Sequence, residues 1–87
     1  MDRTLKIVSK LLDKFILPKY EDIMEYSTSS YNEFKEIEIT FWMDGTDQEM
    51  EEEIVSECDS VLSIVGPMDY RFIYKFTTNG INFYTYS

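Results

Sequence analysis

The sequence predicts an α+β fold. The expected form is a two-layer sandwich, an antiparallel sheet of three to four strands with two helices on one face. Three observations lead there. Two stretches, near residues 3–17 and 46–65, repeat apolar residues at helical spacing. Two others, "FKEIEITFWM" and "MDYRFIYKF", alternate apolar with polar residues as half-buried strands do. Turn signals at Asp44-Gly45, Gly66-Pro67 and Asn79-Gly80 separate these stretches. Helices and an antiparallel sheet solve their burial problem by packing face to face. The predicted order is α-β-β-α-β-β, or α-β-α-β-β without a first hairpin. The 87 residues hold no linker, repeat or low-complexity tract, so residues 1–87 form one domain.

In the first segment, "DRTLKIVSKLLDKFIL", Leu5, Val8, Leu12 and Phe15 fall on one helical face, with Leu11 and Ile16 beside them. Arg3, Lys6, Lys10 and Lys14 fall three or four apart on the opposite side. Pro18 disfavours helical geometry at Leu17, so the helix ends there. "KYEDIMEYSTSSYNEF" is read as a strand over Asp22 to Thr28 and a loop through Ser29, Ser30 and Asn32. A short helix with Pro18 in its first turn is the alternative.

The next strand places Ile37, Ile39, Phe41 and Met43 toward the core. Phe34, Glu36, Glu38, Thr40 and Trp42 face the other way. Thr46 and Glu49 match a capping box, and Met50, Ile54, Cys58, Val61, Leu62 and Val65 then give the second helix its apolar face. Gly66-Pro67 stops it. The acidic residues of its first two turns suit the positive end of the helix dipole. Asn79-Gly80 signals a hairpin with a two-residue turn. That turn sets Phe76 opposite Phe83, Lys75 opposite Tyr84 and Ile73 opposite Tyr86. Met68, Tyr70, Phe72, Tyr74 and Phe76 share one face. The predicted core is Leu5, Val8, Leu12, Phe15, Ile37, Ile39, Phe41, Ile54, Cys58, Leu62, Tyr70, Phe72 and Phe76.

Composition narrows the function. Histidine is absent, which removes the usual acid–base residue and the Ser-His and Cys-His nucleophile systems. Cys58 stands alone, so it forms no intrachain disulfide, and its place on an apolar helix face marks a buried structural thiol. The three glycines each end an element, and none belongs to a phosphate-binding loop. "DGTDQE" offers carboxylates but lacks the ligand order of an EF-hand. No cofactor and no metal is expected, and no enzyme.

Net charge is −9, unevenly placed: residues 1–19 carry +3 and residues 20–87 carry −12. An acidic body repels phosphate backbones and anionic lipid, so neither nucleic acid nor membrane is an expected direct partner. A single cysteine, no long apolar run and no signal peptide predict a cytoplasmic protein.

The stretches "FILPKYEDIMEY" and "MDGTDQEMEEEIVSECDSVLSIVGP" resemble small uncharacterised proteins encoded by tailed phages. The resemblance spans about half of the chain and implies a viral origin, with the host cytoplasm as location. It implies no activity.

Two function classes follow. The first is a non-enzymatic protein-interaction module, with a protein partner or a second copy. Its candidate contacts are Trp42, Ile73, Tyr84 and Tyr86 on the sheet face away from the helices, and Lys6, Lys10 and Lys14 on the first helix. Aromatic side chains commonly anchor interfaces, and a homodimer burying that face is the simplest version. Ordinary cross-strand pairing of Glu36 or Glu38 with Arg71 or Lys75 competes with this reading. The second class is an acidic nucleic-acid mimic that blocks a DNA- or RNA-binding protein.

Overall fold

The computed structural model describes residues 3–31, 33, 35–45, 47–65, 70–78 and 82–86, with 64–65 and 82–86 described by backbone alone. It is α+β. Helix α1 covers Arg3–Leu11 and strand β1 covers Ile23–Tyr31. Strand β2 covers Glu36–Met43, helix α2 Gln48–Val65, strand β3 Arg71–Thr78 and strand β4 Asn82–Tyr86. The sheet order is β1-β2-β3-β4.

The sheet is mixed, which corrects the antiparallel expectation. β1 and β2 pair antiparallel, as do β3 and β4, but β2 and β3 run parallel. The cause is α2. Parallel neighbours need a long crossover, usually helical. The 18-residue helix spans about 27 Å, enough to carry the chain back to the start of β2. There the Arg71 N–H donates to the Lys35 carbonyl at 2.8 Å, and Arg71 registers with Glu36.

α2 starts one residue later than the capping-box pattern implies. The Met50 N–H donates to Asp47 Oδ1 at 2.8 Å, so Asp47 caps the helix. Such a cap contributes about 1 kcal/mol. Thr46, its expected counterpart, lies outside the described residues, as do Asn32, Phe34, Gly66, Pro67, Met68, Asn79 and Gly80. Gly45 has φ +90°, and a Cβ there would meet no atom within 4 Å. Its requirement is therefore conformational rather than steric.

One core cluster joins Val8, Leu12 and Ile16 from the first helical segment with Ile54, Cys58 and Leu62 from α2. Ile23, Ile37, Ile39, Phe41, Met43, Tyr74 and Phe76 complete it from the sheet. All four odd positions of β2 are buried, as its alternation predicts. The Phe41 and Phe76 rings stack at 5.3 Å across the parallel pair. Each such side chain, fully buried, stabilises by about 1.5–3 kcal/mol. Leu5, Tyr70 and Phe72 pack around the cluster as partly buried residues.

Phe15 is not in the core; it is exposed. After Leu11 the helix widens into a π turn over Leu12–Ile16, closed by the Leu17 N–H to the Leu12 carbonyl. A 3₁₀ turn over Leu17–Lys19, carrying Pro18, ends the segment. The wider turn moves the position three residues after Leu12 off the buried stripe and keeps the one four residues after it on the stripe. Ile16 is buried in place of Phe15.

The C-terminal hairpin is shifted by one residue. Thr78 registers with Asn82, so Phe76 pairs with Tyr84, Lys75 with Thr85 and Tyr74 with Tyr86. Three residues, not two, separate the closing pair. A one-residue shift exchanges the two sides of a strand. Positions 84 and 86 therefore register with core-facing Phe76 and Tyr74, not with Lys75 and Ile73.

Replacing Phe41 with Ala is expected to lower the unfolding free energy by about 3–5 kcal/mol, whereas Phe15→Ala should change it by about 0.5 kcal/mol or less. Urea unfolding of the two variants checks both values, and comparable losses would contradict the core assignment.

Candidate functional site

Strand register sets out the sheet face opposite Phe41 as four rows. They are Glu25–Trp42–Thr77, Ser27–Thr40–Lys75, Ser29–Glu38–Ile73 and Tyr31–Glu36–Arg71. Charge pairs cross this face. Arg71 Nη2 lies 2.7 Å from Glu36 Oε2 within one row. Lys75 Nζ lies 2.9 Å from Glu38 Oε1 along a diagonal. Ile73 sits between Arg71 and Lys75 on its strand and is half-buried. Long basic side chains cover apolar neighbours with their methylene stems in this way.

Trp42 is half-buried at the far end of the face. It stands two rows from Ile73, roughly 13 Å along the strand, with Thr40 and Lys75 between. Trp42 and Ile73 therefore do not form one apolar patch. The side chains of Tyr84 and Tyr86, the other two aromatic candidates, lie outside the described residues. Thr40 and Thr77 are buried on this face although both are polar. Thr77 Oγ1 has no hydrogen-bond partner among the described residues. Their burial beside Trp42 has no counterpart in the alternation pattern, which predicts solvated positions here.

The first helix presents a different surface. Arg3, Lys6, Lys10 and Lys14 are all exposed, as their spacing predicts. Lys6 and Lys10 make no ion pair among the described residues. Lys14 Nζ sits 5.4 Å from the centre of its neighbour Phe15's ring. An ion pair between the first helical segment and α2 is made by Lys19, at 3.0 Å from Glu57. Both partners are exposed, so the pair contributes ~0–1 kcal/mol. Beside the lysines lie Ile7, 39% exposed, and Phe15, 42% exposed. With Leu11 they fall at i, i+4 and i+8, a second apolar row flanking the buried one. Sequence reading placed Phe15 in the core and gave Ile7 no role. The π turn that exposes Phe15 has no sequence signature.

The interior holds the only cysteine. Burial, then the nearby Asp59 and Glu57 carboxylates, push the Cys58 thiol up to about 12. A thiol held in its neutral form is a poor nucleophile. The Tyr74 hydroxyl donates to Asp59 Oδ1 at 2.8 Å, and its pKa is raised by burial first and then by that bond. The Tyr26 hydroxyl donates to Asp13 Oδ1 at 2.8 Å and to the Ser9 carbonyl at 3.2 Å. Its pKa is raised too, by burial first and then by Asp13. These phenols tie β1 to the first helix and β3 to α2.

The carboxylates at the start of α2 divide. Glu49, Glu52 and Glu53 are exposed, whereas Glu51 is buried. Among the described residues no group of three or more Cys, Asp or Glu side chains could hold a metal ion. No helix there is long and apolar enough to cross a membrane. Compared with protein-family models, with curated proteins and with solved structures, the chain matches none.

Two outcomes follow from these environments. A folded pKa above the unfolded value of 9.0 gives Cys58 a stabilising contribution that is full below pH 9.0 and is lost as pH rises through about 12. Tyr74 and Tyr26 act in the same direction. The urea midpoint should therefore fall between about pH 9 and about pH 11, and Cys58→Ala should flatten part of that slope. A midpoint independent of pH would contradict the buried placement. Separately, Thr77→Val removes an unpartnered buried hydroxyl without changing shape, so urea unfolding should show equal or greater stability. A loss of about 1 kcal/mol or more would mean the hydroxyl is bonded in solution.

Proposed function

We propose that the chain is a non-enzymatic protein-interaction module. In this reading it is a two-layer sandwich, and it docks the outer side of its first helix on an acidic protein surface. The observation that carries the reading is the joint exposure of Ile7 and Phe15 along the stripe of Arg3, Lys6, Lys10 and Lys14. A domain this small has little apolar surface to spare, so leaving an aromatic ring outside weakens its own core. Apolar contact supplies affinity in such an interface, and the flanking cations select the partner and speed its approach. An amphipathic acidic helix laid along the stripe fits this pattern of anchors.

The sheet face supports docking less well. Four of its charges are already paired, Glu36 with Arg71 and Glu38 with Lys75, and Trp42 and Ile73 are half-buried and separated. A second reading, the nucleic-acid mimic, draws on the exposed carboxylates Glu49, Glu52 and Glu53 at the start of α2. It would use the acidic body of the domain and leave the first helix free.

The test uses affinity capture followed by titration of the captured protein. Reversing Lys6, Lys10 and Lys14 to Glu, or changing Phe15 to Ala, should each lose the partner without lowering the urea midpoint. Trp42→Ala should retain it, and binding should weaken as salt is raised. A partner retained by both helix variants and displaced by DNA would support the mimic instead.

A further inference from the structure

A different surface, independent of the first helix, carries a more specific inference. We propose that β1 is the interface for a second copy of this chain, paired antiparallel across a two-fold axis at Thr28.

Among the described residues β1 lies at one edge of the sheet and pairs with β2 alone. An edge strand presents a row of backbone N–H and C=O groups that can template another strand. Natural proteins block such edges with lysine, proline, inward charges or bulges. β1 has one of these devices, at one end. The register shifts between Ile23 and Glu25, leaving Met24 exposed as the extra residue. From Glu25 to Tyr31 the pairing is regular over seven positions, and Tyr26-Ser27-Thr28-Ser29-Ser30-Tyr31 contains neither charge nor proline. The first helical segment accepts hydrogen bonds from the Tyr26 hydroxyl, which lies on the core face of β1. β4, at the other edge, has five residues.

Charge and register point to a second copy as the occupant. A chain of net charge −9 repels itself, so two copies can approach most closely where a surface is uncharged. Two-fold antiparallel pairing must set one residue opposite itself, because paired residues share a face and alternate positions do not. The middle of the regular stretch is Thr28. That register sets Ser27 against the other copy's Ser29, Tyr26 against its Ser30 and Glu25 against its Tyr31. No carboxylate meets another. Moving the axis to Ser29 would bring Glu25 against Glu33, and moving it to Ser27 would draw the bulge into the pairing. The arrangement joins two sheets into one and keeps equivalent faces on the same side.

The test is sedimentation of the full chain over a range of concentrations, with cysteine cross-linking in a Cys58→Ala background. The wild type should reach twice the monomer mass as concentration rises, and added salt should strengthen the dimer by screening the net charge. The Ser27→Lys/Ser29→Lys variant sets lysines directly opposite one another and should remain monomeric at an unchanged urea midpoint. Thr28→Cys should form an intermolecular disulfide on mild oxidation, since directly paired Cα atoms lie within disulfide reach. Ser30→Cys, whose copies lie roughly 13 Å apart, should not. A chain that stays monomeric throughout overturns the proposal, as does one that accepts an extended peptide along β1 while remaining monomeric. Equal cross-linking at both positions also overturns it. Phe15→Ala, which leaves the net charge unchanged, should dimerise normally, which separates this outcome from that of the helix reading.

Discussion

The fold depends on β2 having neighbours of opposite sense. Its four inward residues, Ile37, Ile39, Phe41 and Met43, are all buried, and both its edges are paired. β1 reaches it by a short reversal. β3 reaches it only after α2 has returned the chain to the start of the strand. The Phe41–Phe76 stack therefore joins segments far apart in sequence and closes the core over the crossover.

From this arrangement the surfaces follow. The first helical segment packs Val8, Leu12 and Ile16 inward, and its π turn carries Phe15 out beside the lysines. Because β2 and β3 occupy the middle, β1 is left at an edge with seven regular positions and a bulge at one end. The face opposite Phe41 is laced by Glu36–Arg71 and Glu38–Lys75, which draws its charge inward on itself. A −9 chain thus presents cations on one helix and, on one edge, a strand that is uncharged from Tyr26 to Tyr31.

Periodicity made much of this legible. The alternation of β2 named its buried side, and helical spacing named Val8, Leu12, Ile54, Cys58 and Leu62 as core. Pro18 marked the end of the first helical segment, and the exposed lysines follow from their spacing. What alternation cannot supply is direction or count. It does not say that β3 lies parallel to β2, since the same residues would point inward either way. It does not fix hairpin length, and one extra residue between Thr78 and Asn82 moves positions 84 and 86 to the other side. It assumes a uniform helix, so the π turn misassigned Phe15. The burial of Thr77, Thr40 and Glu51 depends on neighbours that no local pattern encodes.

The most direct test of the account is the pattern of interstrand NOEs between β2 and β3 in isotope-labelled protein. The account predicts contacts linking Ile37 to Phe72, Ile39 to Tyr74 and Phe41 to Phe76, advancing in the same direction along both strands. Partners that advance in opposite directions, or no contacts between these strands, would contradict it.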